Sequence, residues 1–162
     1  DNKWRVEETV RALRFPSHVV IRPVFFMENW LSPWFKPAID QGKVMIGLKR
    51  ETRLQMIAVQ DVGKFGALAF ERHADLNGRA IDLAGDVRAM PETAEILSKA
   101  TGRKIVFEPV PIAEVRKASE DFALMLEWFD RVGYDVDIAA LTQQYGIKPL
   151  TLAEWAPKQK WS

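Results

Sequence analysis

The most constraining feature of this sequence is the apolar run VVIRPVFF at residues 19–26. Its β-branched and aromatic residues predict a strand over residues 18–26 that is buried on both faces, as in a parallel sheet. Pro23 has no N–H to donate, so it marks a sheet edge, a bulge or the end of regular pairing. Ligands in open α/β sheets bind just beyond the carboxyl ends of strands. We therefore expect the edge of a ligand site where this strand ends.

A polar pair, Glu28 and Asn29, interrupts the apolar segment that follows the strand. If Glu28 is buried, its pKa rises and it can act as an acid or a base. The alternative is that both side chains accept free N–H groups at the start of the next helix, and the pattern favours this capping role. Trp30 and Trp34 flank the loop, where they either wall an apolar pocket or fill the core.

The composition excludes several classes of protein. The chain has 23 Lys and Arg residues and 22 Asp and Glu residues, which gives a net charge of +1. This charge produces no strong electrostatic attraction to nucleic acid or acidic membranes. Cysteine is absent, which excludes thiolate catalysis and cysteine-ligated metals. His18 and His73 are isolated, and structural roles are favoured for both. We expect a cytoplasmic protein with no metal site, no direct nucleic-acid partner and no membrane span.

Hydrophobic periodicity predicts a first helix over residues 3–13 and a β-hairpin formed by residues 43–48 and 54–59. The apolar face of the helix carries Val6, Val10 and Leu13. A further helix is predicted from Asp61, as its N-cap, to about Glu71. Two glycines lie within that helix, and close packing against a strand would account for them; they are Gly63 and Gly66.

The second half of the chain carries local helix signals. A helix is predicted over residues 91–101, with Pro91 in its first turn and Gly102 as its C-cap. Thr151 and Glu154 have the spacing of a capping box at the start of a last helix. The order of elements is α-β-α, a hairpin, then α-β-α-β and several helices, which is typical of a mixed α/β protein with a helical C-terminal part.

Motifs of several enzyme classes are missing. The sequence contains no Gly-x-Gly-x-x-Gly, no Walker-type phosphate loop and no Gly-x-Ser-x-Gly nucleophile elbow. Strings at residues 3–8, 21–29, 57–63, 78–86 and 127–134 nevertheless resemble the NmrA-like proteins, atypical members of the short-chain dehydrogenase/reductase superfamily. The string IRPVFFMEN at residues 21–29 is the most specific of them.

The resemblance implies a fold and a division of the chain. It indicates the C-terminal part of an NAD(P)-binding Rossmann-like fold plus a small mixed α/β substrate domain with C-terminal helices. Residues 1–42 would supply the last helix and strand of the Rossmann-type sheet with the following loop, and residues 43–162 the substrate-binding domain.

The resemblance also implies site residues. Lys3 would contact the nicotinamide ribose. The loop against the nicotinamide end of the cofactor would contain Pro23, Phe25, Phe26, Glu28 and Asn29. The substrate cleft would be lined by the segment of residues 27–34, which contains Met27, Trp30 and Trp34, and by the C-terminal helices. Within this set, Phe25 and Phe26 are the better candidates for contact, and Glu28 for a cap. No catalytic residue is assigned.

Three functions follow from the resemblance. The first is an NAD(P)H-dependent oxidoreductase acting on a small apolar substrate. The second is a non-catalytic NAD(P) redox sensor with a regulatory protein partner. The third is an interaction-only fragment. The family's glycine-rich loop lies before the matched region, so we expect a truncated chain with weak or absent NAD(P) affinity. We also expect homo-oligomers that cover an exposed sheet edge.

Overall fold

The computed structural model of the chain describes residues 2–161. The α-helices are α1 (Asn2–Ala12), α2 (Lys36–Asp40), α3 (Val59–Glu71), α4 (His73–Leu76), α5 (Met90–Thr101), α6 (Ile112–Ala118), α7 (Glu120–Arg131), α8 (Ile138–Tyr145) and α9 (Leu152–Trp155). The strands are β1 (Val20–Pro23), β2 (Phe25–Phe26), β3 (Lys43–Ile46), β4 (Arg53–Ile57), β5 (Ala80–Leu83), β6 (Asp86–Ala89) and β7 (Val106–Pro109). Two 3-10 turns span Met27–Leu31 and Ala156–Lys158.

The strands form three small groups, and most of their pairings are parallel. β1 pairs with β5, β2 with β4, and β3 with β7, all in parallel. β4 also pairs with β6, in the antiparallel direction. The parallel pairs and the helices between them confirm the mixed α/β class.

The predicted β-hairpin of residues 43–48 and 54–59 is wrong. β3 pairs with β7, whereas β4 lies between β2 and β6. The charged connection between β3 and β4 is held by a distant residue instead of a tight turn. The carboxylate of Asp130 accepts the backbone N–H of Lys49 and the hydroxyl of Thr52. This tertiary contact holds the connection between two strands that pair with different partners.

The predicted strand over residues 18–26 is divided at Val24 into β1 and β2, which pair with different strands. Pro23 ends β1, as expected of a residue that cannot donate to a ladder. The prediction that the whole strand is buried on both faces is wrong. All four residues of β1 are only partly buried, and full burial begins at Val24 and Phe25.

The first helix lies where it was predicted, but its apolar face is exposed. Val6 and Leu13 keep 62% and 61% of their surface accessible among the described residues. The contact that links α1 to the sheet is polar, because Glu7 accepts two hydrogen bonds from Arg22 of β1. The helix is therefore held to the sheet by an ion pair instead of an apolar stripe.

Two predictions for α3 are wrong. The helix begins at Val59 with Ala58 as its N-cap, so Asp61 lies inside the first turn. Asp61 is fully buried and accepts the N–H of Leu150 at 2.7 Å and the ammonium of Lys64 at 2.7 Å. A methyl group added at Gly63 or Gly66 would meet no atom within 4 Å, so close packing does not explain these glycines.

The local signals in the second half are confirmed. Gly102 ends α5 in the left-handed conformation with φ +68°. Thr151 and Glu154 form the capping box of α9. Buried apolar residues form two clusters: the larger one includes Trp30, and the smaller one includes Phe65. The division at residue 42 stays a prediction, and its outer limits, residues 1 and 162, lie outside the described residues.

Candidate functional site

The candidate site is a cleft of about 390 Å³ beyond the carboxyl ends of β1 and β5. Pro23 pairs in register with Leu83, so both strands end at the same edge of the sheet. The strand side of the cleft is formed by Arg22, Pro23, Val24 and Asp82. Its opposite side is formed by Trp128 of α7 and by residues 133–136, which follow that helix. A cleft in this position matches the ligand sites of open α/β sheets.

An ion-pair network lies at the strand side of the cleft. Arg22 donates from Nε and Nη2 to the two carboxylate oxygens of Glu7, at 2.8 and 2.6 Å. Its Nη1 lies 3.6 Å from a carboxylate oxygen of Asp82. The hydrogen bond from Arg22 lowers the pKa of Glu7, and the same bond raises the pKa of Arg22. Arg22 therefore stays cationic and links α1 to both strands.

Aromatic rings form the opposite side of the cleft. The rings of Trp128 and Tyr134 meet edge to face with centroids 5.3 Å apart, and Phe129 supports Tyr134 at 5.1 Å. Burial raises the pKa of Tyr134. Its hydroxyl makes no hydrogen bond with another of residues 2–161. At neutral pH it is therefore a protonated hydroxyl with free hydrogen-bonding capacity.

Gln55 of β4 fixes the loop that carries Tyr134. Its side-chain Nε2 donates to the carbonyl of Val136 at 2.8 Å, and its Oε1 accepts the N–H of Val136 at 3.0 Å. Only 8% of the Gln55 surface is exposed. Sequence reasoning assigned no site role to Gln55 or to residues 133–136 individually, although residues 133 and 134 lie in one of the strings that resemble the family. The signal for Gln55 was a lone amide within the strand RLQMI.

The predicted cofactor loop contributes Pro23 to the cleft lining and then turns into the core. Phe25 is buried and packs against Trp30, with centroids 5.4 Å apart. Phe26 and Asn29 are partly exposed. Lys3 lies on α1 one turn before Glu7, so the ion pair with Arg22 holds the part of α1 that carries Lys3. The assignment of these residues to a cofactor stays a prediction.

The three predicted substrate residues occupy different environments. Met27 and Trp30 are fully buried, and the indole N–H of Trp30 donates to the sulfur of Met56 at 3.4 Å. Trp34 is 88% exposed. None of the three belongs to the described lining of the cleft. Their assignment to a substrate stays a prediction, and any effect of Met27 or Trp30 on the cleft would pass through packing.

Glu28 caps a helix, but a different helix from the one expected. Its two carboxylate oxygens accept the N–H of Val59, at 3.1 and 3.0 Å, at the start of α3. One of them also accepts the indole N–H of Trp155 at 3.0 Å. The capping role is therefore right and the predicted partner, the next helix in the chain, is wrong. This carboxylate links the loop after β2 to α3 and α9.

Residues 2–161 contain no group of three or more histidine, cysteine, aspartate or glutamate side chains that could hold a metal ion. No helix in the same residues is long and apolar enough to cross a bilayer.

Comparisons with solved structures show the same fold in other proteins. An NADPH-dependent quinone oxidoreductase from Escherichia coli, solved in complex with NADPH, superposes with a TM-score of 0.73 at 20% identity; the match covers 93% of this chain and 56% of that one. NmrA, a negative transcriptional regulator solved in complex with NADP, superposes with a TM-score of 0.70 at 17% identity, over 96% of this chain and 56% of that one.

The sequence comparisons identify the family. Prestalk A differentiation protein A of Dictyostelium discoideum is 30% identical over 118 residues, which cover 72% of this chain and 38% of that protein. This chain therefore spans well under two thirds of the length of that relative. The model of the NmrA-like family matches residues 1–156. The chain belongs to the NmrA-like family.

Proposed function

We propose that this chain supplies the acceptor side of an NAD(P)H-dependent oxidoreductase whose substrate is a small apolar compound. The observation that carries the proposal is the cleft beyond β1 and β5, which is apolar and aromatic on the side of Trp128 and Tyr134. Ligand clefts of proteins combine such walls with a few polar groups. Membership of the NmrA-like family and the NADP(H) complexes of two similar structures support the choice of cofactor.

The residues next to the cleft suit the nicotinamide end of the cofactor. Pro23 lines the cleft, and the partly exposed ring of Phe26 follows three residues later. A planar nicotinamide packs well against such side chains. Residues 2–161 contain no glycine-rich phosphate loop, so the pyrophosphate is not held by that motif within the described part. The fit therefore concerns the nicotinamide end alone.

Each group in the site has a role in the proposed reaction. NAD(P)H would supply a hydride when bound, and an acceptor that takes this hydride and a proton from water would leave reduced by two electrons. Pro23 and Phe26 would pack against the nicotinamide ring, and Trp128 and Val136 would contact the acceptor. Tyr134, which stays protonated, donates a hydrogen bond to the acceptor oxygen on which charge develops.

A second function, binding of NAD(P) without turnover, is favoured by a separate observation. The described residues that line the cleft include no lysine and no histidine, so proton transfer there has few candidates. The solved structure named as a negative transcriptional regulator in complex with NADP belongs to a protein of this fold. A redox-sensing protein would bind the cofactor in the same cleft and report to a protein partner whether the oxidised or the reduced form is bound.

Kinetics of the natural protein, produced from its whole reading frame, separate the two functions. NADPH consumption is followed by absorbance with and without a naphthoquinone, and NADPH binding is followed by tryptophan fluorescence. The oxidoreductase predicts saturable binding and consumption that depends on the acceptor. Saturable binding without consumption would establish the sensor instead, and no binding at millimolar NADPH would refute both.

Paired variants locate the binding. Phe26→Ala is expected to weaken NADPH binding, because the proposal places this partly exposed ring against the nicotinamide. Phe70→Ala removes a ring that is 85% exposed on α3 and is expected to leave binding unchanged. Equal effects of the two variants would refute the placement of the nicotinamide beside Phe26.

A further inference from the structure

The loop of residues 133–136 is held from one side by a single buried amide. Both backbone groups of Val136 pair with the Gln55 side chain, in the way that a neighbouring strand would pair with them. Gly133 has φ +71°, which lets the chain turn sharply at the end of α7. Tyr134 lies between these two fixed points. The amide of Gln55 therefore sets the position of Tyr134 across the cleft from Pro23.

Tyr134 has hydrogen-bonding capacity that the protein leaves unused. Its ring is fixed by Trp128 and Phe129, while its hydroxyl has no partner among residues 2–161. The hydroxyl oxygen is not among the buried polar atoms that lack a partner, so it is accessible to a ligand in the cleft. A protonated phenol can donate one hydrogen bond, and a carbonyl oxygen of a ligand is a fitting acceptor for it.

The charges around the cleft select against anions. Two carboxylates, Asp82 and Asp135, line it. The one guanidinium in the lining, Arg22, is already paired with Glu7 and lies near Asp82. An anionic ligand would meet uncompensated negative charge, so a neutral compound is favoured. The edge-to-face rings of Trp128 and Tyr134 favour a flat, aromatic ligand.

We propose that Tyr134 binds the carbonyl oxygen of a neutral, planar aromatic acceptor in this cleft and that Gln55 is the positioning residue of Tyr134. The proposal rests on the oxidoreductase function and names its acceptor class. It assigns binding to Tyr134 and assigns Gln55 an effect that passes through the loop of residues 133–136.

Binding of 1,4-naphthoquinone to the natural protein, without added NADPH, tests the proposal. Spectra of the ¹⁵N-labelled protein follow the indole N–H of Trp128 and the amides of Gly133 and Val136. We expect saturable shifts of these three signals. The sulfonated naphthoquinone, which carries a negative charge, is expected to bind at least about 3-fold more weakly because of the two carboxylates.

Matched variants separate binding from positioning. Tyr134→Phe is expected to weaken naphthoquinone binding by about 3- to 10-fold, the effect of one hydrogen bond. Tyr145→Phe removes the other tyrosine hydroxyl and is expected to have no effect. Gln55→Met is expected to weaken binding to a similar degree. The control for Gln55→Met is Ser98→Ala. The Ser98 side chain also bonds both backbone groups of one residue, Ile105, but these two residues lie far along the chain from the loop of residues 133–136.

A double variant tests whether Gln55 acts through Tyr134. If it does, adding Gln55→Met to Tyr134→Phe weakens binding little further, whereas a general structural effect would add in full. The amide spectrum and the unfolding midpoint of each variant show whether it is folded. If Gln55→Met does not fold, Tyr134→Phe and the sulfonated probe still decide the assignment of the binding site.

Several results would overturn the proposal. Chemical-shift changes of Trp128 and Val136 that do not saturate would refute binding at this site. Equal naphthoquinone affinities of Tyr134→Phe and the wild type would refute the role of the hydroxyl. Full additivity of the losses in affinity in the double variant would refute the role of Gln55. Because the titration contains no NADPH, naphthoquinone binding by a protein that does not consume NADPH would keep this site and refute only the oxidoreductase.

Discussion

Removing the carboxylate of Glu28 is expected to loosen three parts of the fold at once. Glu28→Ala deprives the N–H of Val59 and the indole N–H of Trp155 of their common acceptor. Hydrogen bonds to charged groups contribute about 1.5–3 kcal/mol each, and the partial exposure of Glu28 reduces their sum to about 2–4 kcal/mol. For a chain of this length, that corresponds to a fall in Tm of about 5–15 °C.

Urea and thermal unfolding followed by tryptophan fluorescence measure the loss. Glu28→Gln keeps an oxygen acceptor and loses only the charge that opposes the dipole of α3, so it is expected to cost about 1 kcal/mol. The control is Glu95→Ala, which removes an exposed partner of Lys99 on α5 and is expected to change stability by less than about 0.5 kcal/mol. A Glu28→Ala protein within about 0.5 kcal/mol of the wild type would refute the linking role.

Two further perturbations test other parts of the account. Gly85→Ala would bring a methyl group to 2.7 Å from the carbonyl oxygen of Leu150 and is expected to lower stability by about 1–3 kcal/mol. Gly66→Ala adds its methyl group in open space on α3 and is expected to raise stability by up to about 1 kcal/mol. The reverse order of their urea midpoints would contradict the close packing at Gly85. The pH dependence of Glu7→Gln tests the ion pair at β1. Because the pKa of Glu7 is lowered in the folded state, its contribution to stability is present above the unfolded pKa of 4.5 and is lost as the pH falls through the folded pKa. The stability difference between wild type and variant should therefore shrink on acidification, and a constant difference would contradict the ion pair.

Short-range signals were enough to predict many elements of the fold. The left-handed cap at Gly102 and the capping box of Thr151 and Glu154 depend on residues within a few positions, so the sequence contains their whole cause. The prediction of a hairpin is wrong because the partner of β3 is β7, and the connection after β3 is held by Asp130. Pairing decided by distant residues leaves no local pattern.

The site shows the same division between local and distant causes. Pro23 ends its strand for a reason that lies in its own ring, and the edge of the cleft could therefore be predicted. Gln55 bonds Val136, 81 positions further along the chain, and Glu28 bonds Trp155 across 127 positions. Side-chain bonds to such distant groups follow from the completed fold, so periodicity and spacing could not indicate them.

Titration of the ¹⁵N-labelled natural protein with NADPH tests the central claim most directly. We propose that the nicotinamide end of the cofactor lies beside Pro23 and Phe26, across the cleft from the loop of residues 133–136. We predict saturable shifts at the amides of Phe25, Phe26 and Gly133, with unchanged signals along α5. Saturable binding that leaves those three amides unchanged, or no binding at millimolar NADPH, would contradict it.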